Sequence, residues 1–277
     1  MTRAAWIALL VCGLAAPALA SPDYGKCQVS GVRGSVKLQT VVPGALSVRP
    51  DIPAPGWWNG DSPDTIKDGF EYCMAANMAY RAGLDRVIVV NRSFAQVLTG
   101  QAPGFDIALS QITITPEREK VVDFTHPYYS SDQGVLVRAG TKVDQDSIRK
   151  LRIAVEQGTT TYYYVTDRIK PVVAPHVFPQ TAPMFAALAA GQVDAVIYDT
   201  PTVLAEARQS HGAFQVVGRY DMGERWGGLV NKGSPNMAAF NKLIDDFHKD
   251  GTLDRLTKTY LLPGLGMDPA KLPVFAP

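Results

Sequence analysis

Short β-branched runs alternate with short helical patterns along most of this chain, and that alternation limits the fold more than any other feature. Strand-like runs fall within 36–48 and at 86–90, 106–109, 153–155, 177–178, 194–198 and 214–217. Helical spacing falls between them: at 70–82, where Phe70, Met74 and Met78 share a face before Gly83, at 94–98 and 116–121, after 157–161 through Tyr164, from the cap Thr181 through Ala190, and at 201–208. Thr115 and Thr181 read as N-caps, and Pro116 suits a first helical turn. Strands alternating with helices build layered α/β sheets with mostly parallel strands. Two such blocks, 36–133 and 134–225, predict two lobes. The longest helical region, 240–260, is interrupted at Gly251 and has no sheet of its own, so it should pack back on one lobe.

The chain's 277 residues allow two domains of ordinary size. A balance of 27 basic to 26 acidic residues leaves no global basic field for nucleic acid. Residues 1–20 read as a secretory signal: Arg3 opens it, Ala4 to Leu14 are apolar, and Ala18-Leu19-Ala20 offers a small-x-small cleavage site. Pro17, Ser21, Pro22 and Asp23 cut the apolar run short of a membrane anchor, and Val11 before Cys12 is too large for a lipid-modification site. Cleavage after Ala20 leaves two cysteines, Cys27 and Cys73, in an oxidising compartment where a disulfide is the natural pairing. Two free thiols are the alternative. A zinc site has no second Cys or His at ligand spacing.

Searches for catalysis find nothing. The four histidines, His126, His176, His211 and His248, form no HExxH, and CxxC, GxSxG and phosphate-binding glycine loops are missing from the sequence. What remains is polar groups just beyond strand ends, where α/β sheets bind ligands. Three places qualify: Ser110-Gln111-Ile112-Thr113, Gly158-Thr159-Thr160 and Tyr198-Asp199. Each also has a routine reading, with Thr159 and Asp199 as helix caps and Gly158 as a turn.

The run Gly104-Phe105-Asp106-Ile107-Ala108, with Ile112-Thr113-Ile114-Thr115-Pro116-Glu117-Arg118 and Val121-Val122-Asp123-Phe124-Thr125-His126-Pro127-Tyr128-Tyr129, resembles the signature of family 3 extracellular solute-binding proteins, the polar amino-acid receptors of ABC importers. Gly69-Phe70-Glu71, Gln157-Gly158-Thr159-Thr160, Gly191 to Asp199, Asn231-Lys232-Gly233-Ser234 and Lys249 to Leu253 continue the match in order. The resemblance implies a type II periplasmic-binding fold: two α/β lobes, two hinge crossings and a ligand in the cleft. The lobes would be 21–133 plus 228–277, and 134–227.

It also implies roles. Thr113 and Arg118 stand where the family binds an α-carboxylate, a task suited to a planar guanidinium. Gly158 and Thr159 match the second-lobe segment whose N–H groups meet the same carboxylate. Asp199 matches the acid that pairs with the α-ammonium. Asp51, Trp57 or Trp58, and Phe94 fall where first-lobe wall residues and an aromatic shelf belong, and Tyr198 would complete an aromatic wall. Departures are Ser110-Gln111 in place of a small pair at the mouth, two Trp where Pro-Phe is usual, and Cys73 in place of an acidic residue.

The expected function is a monomeric periplasmic receptor without cofactor or metal, delivering an amino acid or similar small zwitterion to an ABC permease. Two other readings stay open. One is a partner or sensor module of a periplasmic dehydrogenase. The other is a cyclohexadienyl-dehydratase-like enzyme with Glu156, Glu224 or His126 as acid–base group. Hinges are expected near 131–134 and 224–228, where Gly134, Gly227 and Gly228 tolerate wide backbone angles.

Overall fold

All five residues of β1 (Ala45–Arg49) are buried, as befits a strand covered on both faces. The computed structural model describes residues 21–99 and 103–277, so the expected signal segment 1–20 lies outside the described residues. After β1 come α1 (Phe70–Arg81), β2 (Arg86–Val89), α2 (Phe94–Val97), β3 (Ile107–Ala108), α3 (Pro116–Glu119) and β4 (Val122–Phe124). The long strand β5 (Tyr129–Arg138) then carries the chain into a second sheet. That lobe adds β6 (Ile153–Glu156), α4 (Thr160–Tyr164), β7 (His176–Phe178), α5 (Thr181–Ala189), β8 (Ala195–Asp199) and α6 (Thr200–Gln209). Strand β9 (Phe214–Trp226) returns, and β10 (Leu229–Asn231), α7 (Met237–Lys249), α8 (Thr252–Leu256) and α9 (Leu262–Leu265) follow.

The sheet orders are β2-β1-β3-β10-β4 and β7-β6-β8-β5-β9. Within each, β1 to β3 and β6 to β8 pair in parallel, while β10 and β5, the first strands after each crossing, run antiparallel to both neighbours. The fold is therefore the two-lobed α/β architecture, its sheets joined by two strand crossings, β4 to β5 and β9 to β10. On α7, Phe240, Leu243, Ile244 and Phe247 form one buried face against the first-lobe core, so this C-terminal helix packs back as expected. In the second lobe alternate residues of β5 divide between two cores, Val135 and Val137 on one face and Leu136 on the other. The bond Cys27–Cys73 ties the N-terminal segment to α1. A closed loop of this length gives about 4 kcal/mol in chain-entropy terms.

Three local expectations change. The run at 214–217 is only the start of thirteen-residue β9, whose later positions carry Arg219, Asp221, Glu224 and Arg225 and so hide its strand character. Gln180 rather than Thr181 occupies the N-cap of α5. Gly134, Gly227 and Gly228 are needed for close packing and not for unusual angles, since none has a positive φ. A Cβ on Gly134 would lie 2.5 Å from Val203, and one on Gly228 2.6 Å from Ile107.

The C-terminal tail also departs from the expected lobe bounds, which gave all of 228–277 to the first lobe. After α8 it crosses to the second: Leu265 and Leu272 pack with Leu204, and Phe275 enters the core beside Tyr220. The Arg219 N–H donates to the Pro273 carbonyl and the Phe275 N–H to the Arg219 carbonyl, both at 2.8 Å. Apolar side chains in the tail find partners there that the first lobe, already covered by α7 and α8, does not offer.

Candidate ligand-binding site

Parallel strands of both sheets end at the cleft, so the loops after β1, β3, β6 and β8 face one another. The β3 loop continues into α3, whose N-cap Thr115 accepts from the Arg118 N–H at 3.2 Å, as its sequence predicts. This short helix delivers Arg118 into the cleft. Its guanidinium donates to the Thr113 carbonyl at 2.6 Å and, across the cleft, to the Gly158 carbonyl at 3.1 Å. It lies over the Phe94 ring, 5.6 Å from the centroid. Burial lowers the Arg118 pKa to about 10, against the pull of Glu224, Tyr163 and Asp199. It therefore stays charged at neutral pH.

Opposite it stands Asp199, the last residue of β8. Although it holds the N-cap position of α6, its side chain makes no capping bond. Instead Oδ1 accepts from Gln133 Nε2 at 2.8 Å, and the same amide nitrogen donates to Glu224 Oε2 at 2.7 Å. Thr161 Oγ1 donates to Gln133 Oε1 at 2.5 Å, which fixes the amide, and Thr160 Oγ1 donates to Glu224. One amide thus holds two buried carboxylates side by side. Burial, and then the nearby Glu224, push the Asp199 carboxyl well above the usual range. Such a pair is stabilised by a cation placed between its members.

Arg118, Thr113, Phe94, Gln111, Thr159, Tyr198 and Asp199 line one small cavity together with Thr160 and Thr161. Thr159 keeps its routine role, accepting from the Tyr162 N–H at 3.1 Å as the cap of α4. Gly158 enters through its carbonyl, bonded to Arg118. A second cavity, sharing Phe94, Gln111 and Tyr198 with the first, is lined by Asp51 and Ser110 among others. Asp51 Oδ2 accepts from the Phe94 N–H at 3.0 Å, which seats the ring at the start of α2, and the Asp51 N–H donates to Ser110 Oγ at 3.0 Å.

Trp57 and Trp58 do not join them. The loop folds back so that the Trp57 and Trp58 N–H groups both donate to the Ala54 carbonyl. Both rings then enter the first-lobe core, 1% and 0% exposed. Trp57 lies edge-on to Phe70, Tyr129 and Trp226, each at 5.2 Å, and Trp58 Nε1 donates to Glu71 at 2.7 Å. The expected aromatic wall therefore shrinks to Phe94 and Tyr198. His126 is also remote: its Nδ1 meets Asp245 Oδ1 at 2.8 Å on the exposed side of the first lobe.

The profile of the bacterial extracellular solute-binding proteins, family 3, matches residues 58–263. The chain belongs to that family. An L-cystine-binding protein of Escherichia coli strain K12 is 24% identical over 196 residues, 69% of this chain and 73% of its own length. Among solved structures, an ancestral arginine-binding protein bound to glutamine is 27% identical, with a TM-score of 0.73 over 79% of this chain and 98% of that one. An ancestral amino-acid-binding protein described as a precursor of cyclohexadienyl dehydratase is 28% identical, with a TM-score of 0.69 over 79% and 95%.

The cleft of this solute-binding protein also holds Gln133 and Thr161, which sequence reasoning did not single out, with Thr160 and Glu224, which it named only as part of a strand-end stretch and as a possible acid–base group. Gln133 lies on β5 opposite Asp199 in the strand register, and Glu224 lies on β9 opposite Ser131. No motif marks either. Only the pairing of the two crossing strands brings them to the cleft. Gln111 has a signal that could have been read: at φ 50 it occupies the left-handed region, which explains why a small residue is usual in the family pattern there. Its N–H donates to Glu71 Oε1 at 2.8 Å and its Nε2 to Oε2 of the same buried carboxylate, so Glu71 holds the mouth of the site.

Proposed function

We propose that this protein is the receptor of an amino-acid ABC importer and holds a single amino acid between its lobes. The observation that carries this reading is that the Arg118 guanidinium and the buried Asp199 carboxylate line the same cavity, with Glu224 bonded to the same Gln133 amide as Asp199. The guanidinium suits an α-carboxylate, with the Thr113 hydroxyl beside it. The carboxylate pair suits an α-ammonium, which would neutralise their repulsion. Arg118 and Thr113 belong to the first sheet, and Gly158, Thr159 and Asp199 to the second, so only the closed form presents both sets. A ligand that touches both favours closure by its differential affinity for that form. Export, with cleavage after Ala20, fits a periplasmic receptor acting as a monomer.

The test is calorimetry of the protein without residues 1–20 against the common amino acids, each beside its decarboxylated amine and its deaminated acid. Only the complete zwitterion should bind tightly, and Asp199→Asn should weaken amino acids far more than deaminated acids. Amines binding as well as their parent amino acids would refute the carboxylate assignment. A second reading, a dehydratase on this scaffold, draws on the buried acids Glu156 and Glu224 and on the similarity to a dehydratase precursor. Turnover of prephenate or arogenate by the purified protein would favour it over the receptor.

A further inference from the structure

The face of β5 that carries Val135 and Val137 packs on the second-lobe core, and two residues back along that face stands Gln133, a fully buried amide where an apolar side chain would continue the pattern. Strand pairing sets it opposite Asp199 on β8 and opposite Tyr220 on β9. The register then slips. One residue separates Ser131 from Gln133 on β5, but Asp221, Met222 and Gly223 separate their partners Glu224 and Tyr220 on β9. Gly223, at φ 61, helps the longer strand take up the surplus. Glu224 is thereby left beside Gln133, so that acids from two strands flank one amide. Its nitrogen donates to Asp199 Oδ1 at 2.8 Å and to Glu224 Oε2 at 2.7 Å. Its oxygen accepts from the buried Thr161 Oγ1 at 2.5 Å, and that hydroxyl leaves the N–H end facing the acids. Asp199 lines the ligand cavity, and Gln133 stands behind it.

We propose that Gln133 is a positioning residue of the receptor: its amide, oriented by Thr161, holds Asp199 toward the α-ammonium of an amino acid without spending the charge that the ammonium must find there. This inference rests on the amino-acid reading above and names what tunes the ammonium end of that site. A carboxylate that accepts N–H bonds is easier to keep ionised, and only the ionised form pairs with an ammonium. Burial, and then Glu224, push Asp199 the other way, toward holding a proton. Within electrostatic reach of it also lie Glu71, Glu156 (itself beside Asp51), the hydroxyls of Tyr128, Tyr129 and Tyr198, and the Arg118 guanidinium across the cavity. A lysine in place of Gln133 would satisfy both acids and leave nothing for the ligand. An apolar residue would leave both acids to take up protons. A neutral amide supplies donors and keeps the charge, which is what a site for an ammonium needs.

The experiment is calorimetry of the protein without residues 1–20 with the common L-amino acids and L-cystine, and with the deaminated acid of each one that binds, between about pH 5.5 and 8.5. Affinity for an amino acid should climb with pH as Asp199 ionises. In Gln133→Met, of similar length but without donors, that climb should move up by about one pH unit or more. Affinity near neutral pH should fall about tenfold or more, since a bond to a charged group is worth roughly that factor. Deaminated acids should lose far less. Thr161→Val should show the same change on a smaller scale, and Thr161→Ser, which keeps the hydroxyl, should retain the parent profile. Circular dichroism checks each fold, and Thr161→Val decides the matter where Gln133→Met does not fold. A pH profile unmoved by these substitutions, or a loss shared equally by amino acids and their deaminated acids, reduces Gln133 to a structural part and overturns the proposal while leaving the amino-acid receptor standing. Binding of no amino acid by the parent protein overturns both.

Discussion

Replacing Glu71 by Gln tests whether the mouth of the site is held as described. The Glu71 side chain is fully buried and accepts four bonds: Oε1 from the Gln111 N–H and the Tyr128 hydroxyl, Oε2 from Trp58 Nε1 and Gln111 Nε2. An amide of the same shape has one acceptor atom instead of two. Its NH2 group should face the Oε1 partners, because the Tyr128 hydroxyl can turn and accept from it, whereas Trp58 Nε1 and Gln111 Nε2 can only donate. That leaves the Gln111 N–H without an acceptor, at a cost of about 1–3 kcal/mol for a buried donor. The two bonds to the remaining oxygen lose their charge assistance, roughly 0.5–1 kcal/mol each. Relief from burying a charge offsets part of this. The net is a loss of about 2–4 kcal/mol, or a fall in Tm on the order of 5–15 °C for a chain this large. Urea denaturation followed by fluorescence measures the first, and a thermal scan the second. The double substitution Glu71→Gln with Tyr128→Phe should depart from the sum of the two singles, since Tyr128 bonds Glu71 directly and is the group, among its described partners, able to accept from the new amide. A Glu71→Gln protein within about 0.5 kcal/mol of the parent would refute the reasoning. So would strict additivity with Tyr128→Phe.

Three further outcomes are expected. Arg118→Ala should weaken the true ligand by at least about 3 kcal/mol, since a buried carboxylate loses its partner, and Arg118→Lys should recover only part of that because a point charge does not replace the fork; calorimetry decides. Phe275→Ala should destabilise by roughly 3 kcal/mol, because the ring fills the second-lobe core beside Tyr220, and a urea midpoint unchanged from the parent would remove the tail from that core. The Asp194 carboxyl is held below its usual range chiefly by the Arg152 guanidinium, with Arg152 Nη2 at 2.6 Å, so its contribution is present above its unfolded pKa and lost as pH falls through the lowered value. Asp194→Asn should therefore cost about 1 kcal/mol at pH 7, discounted for partial exposure, and progressively less in acid; a cost that grows with falling pH would contradict the pairing.

The helices and short strands that frame the cleft were legible in the sequence because each carries its own local signal. Phe70, Met74 and Met78 mark α1, Gly83 stops it, and Thr115-Pro116 opens α3. Arg118 and Asp199 were legible through a family pattern that spans both lobes, and the sequence alone also pointed to Cys27–Cys73 by leaving two cysteines in an exported chain. Crossings were expected near 131–134 and 224–228, but the long strands that form them were not legible as strands, because β5 and β9 mix polar and charged residues there and lose the apolar alternation that marks a strand. Of what those strands bring to the cleft, Glu224 was legible only as a possible acid–base group and Gln133 not at all. Gln133 and Glu224 are an ordinary Gln and Glu until pairing sets one against Asp199 and the other against Thr160. The same reason governs the two tryptophans: composition cannot say whether a loop ring faces a ligand or a core, and backbone bonds to Ala54 turned both inward. Sequence set the kinds of element and their order, since these depend on neighbours a few residues away. Tertiary packing alone decided which buried charges face one another, since that depends on contacts between residues as distant as Asp51 and Glu156.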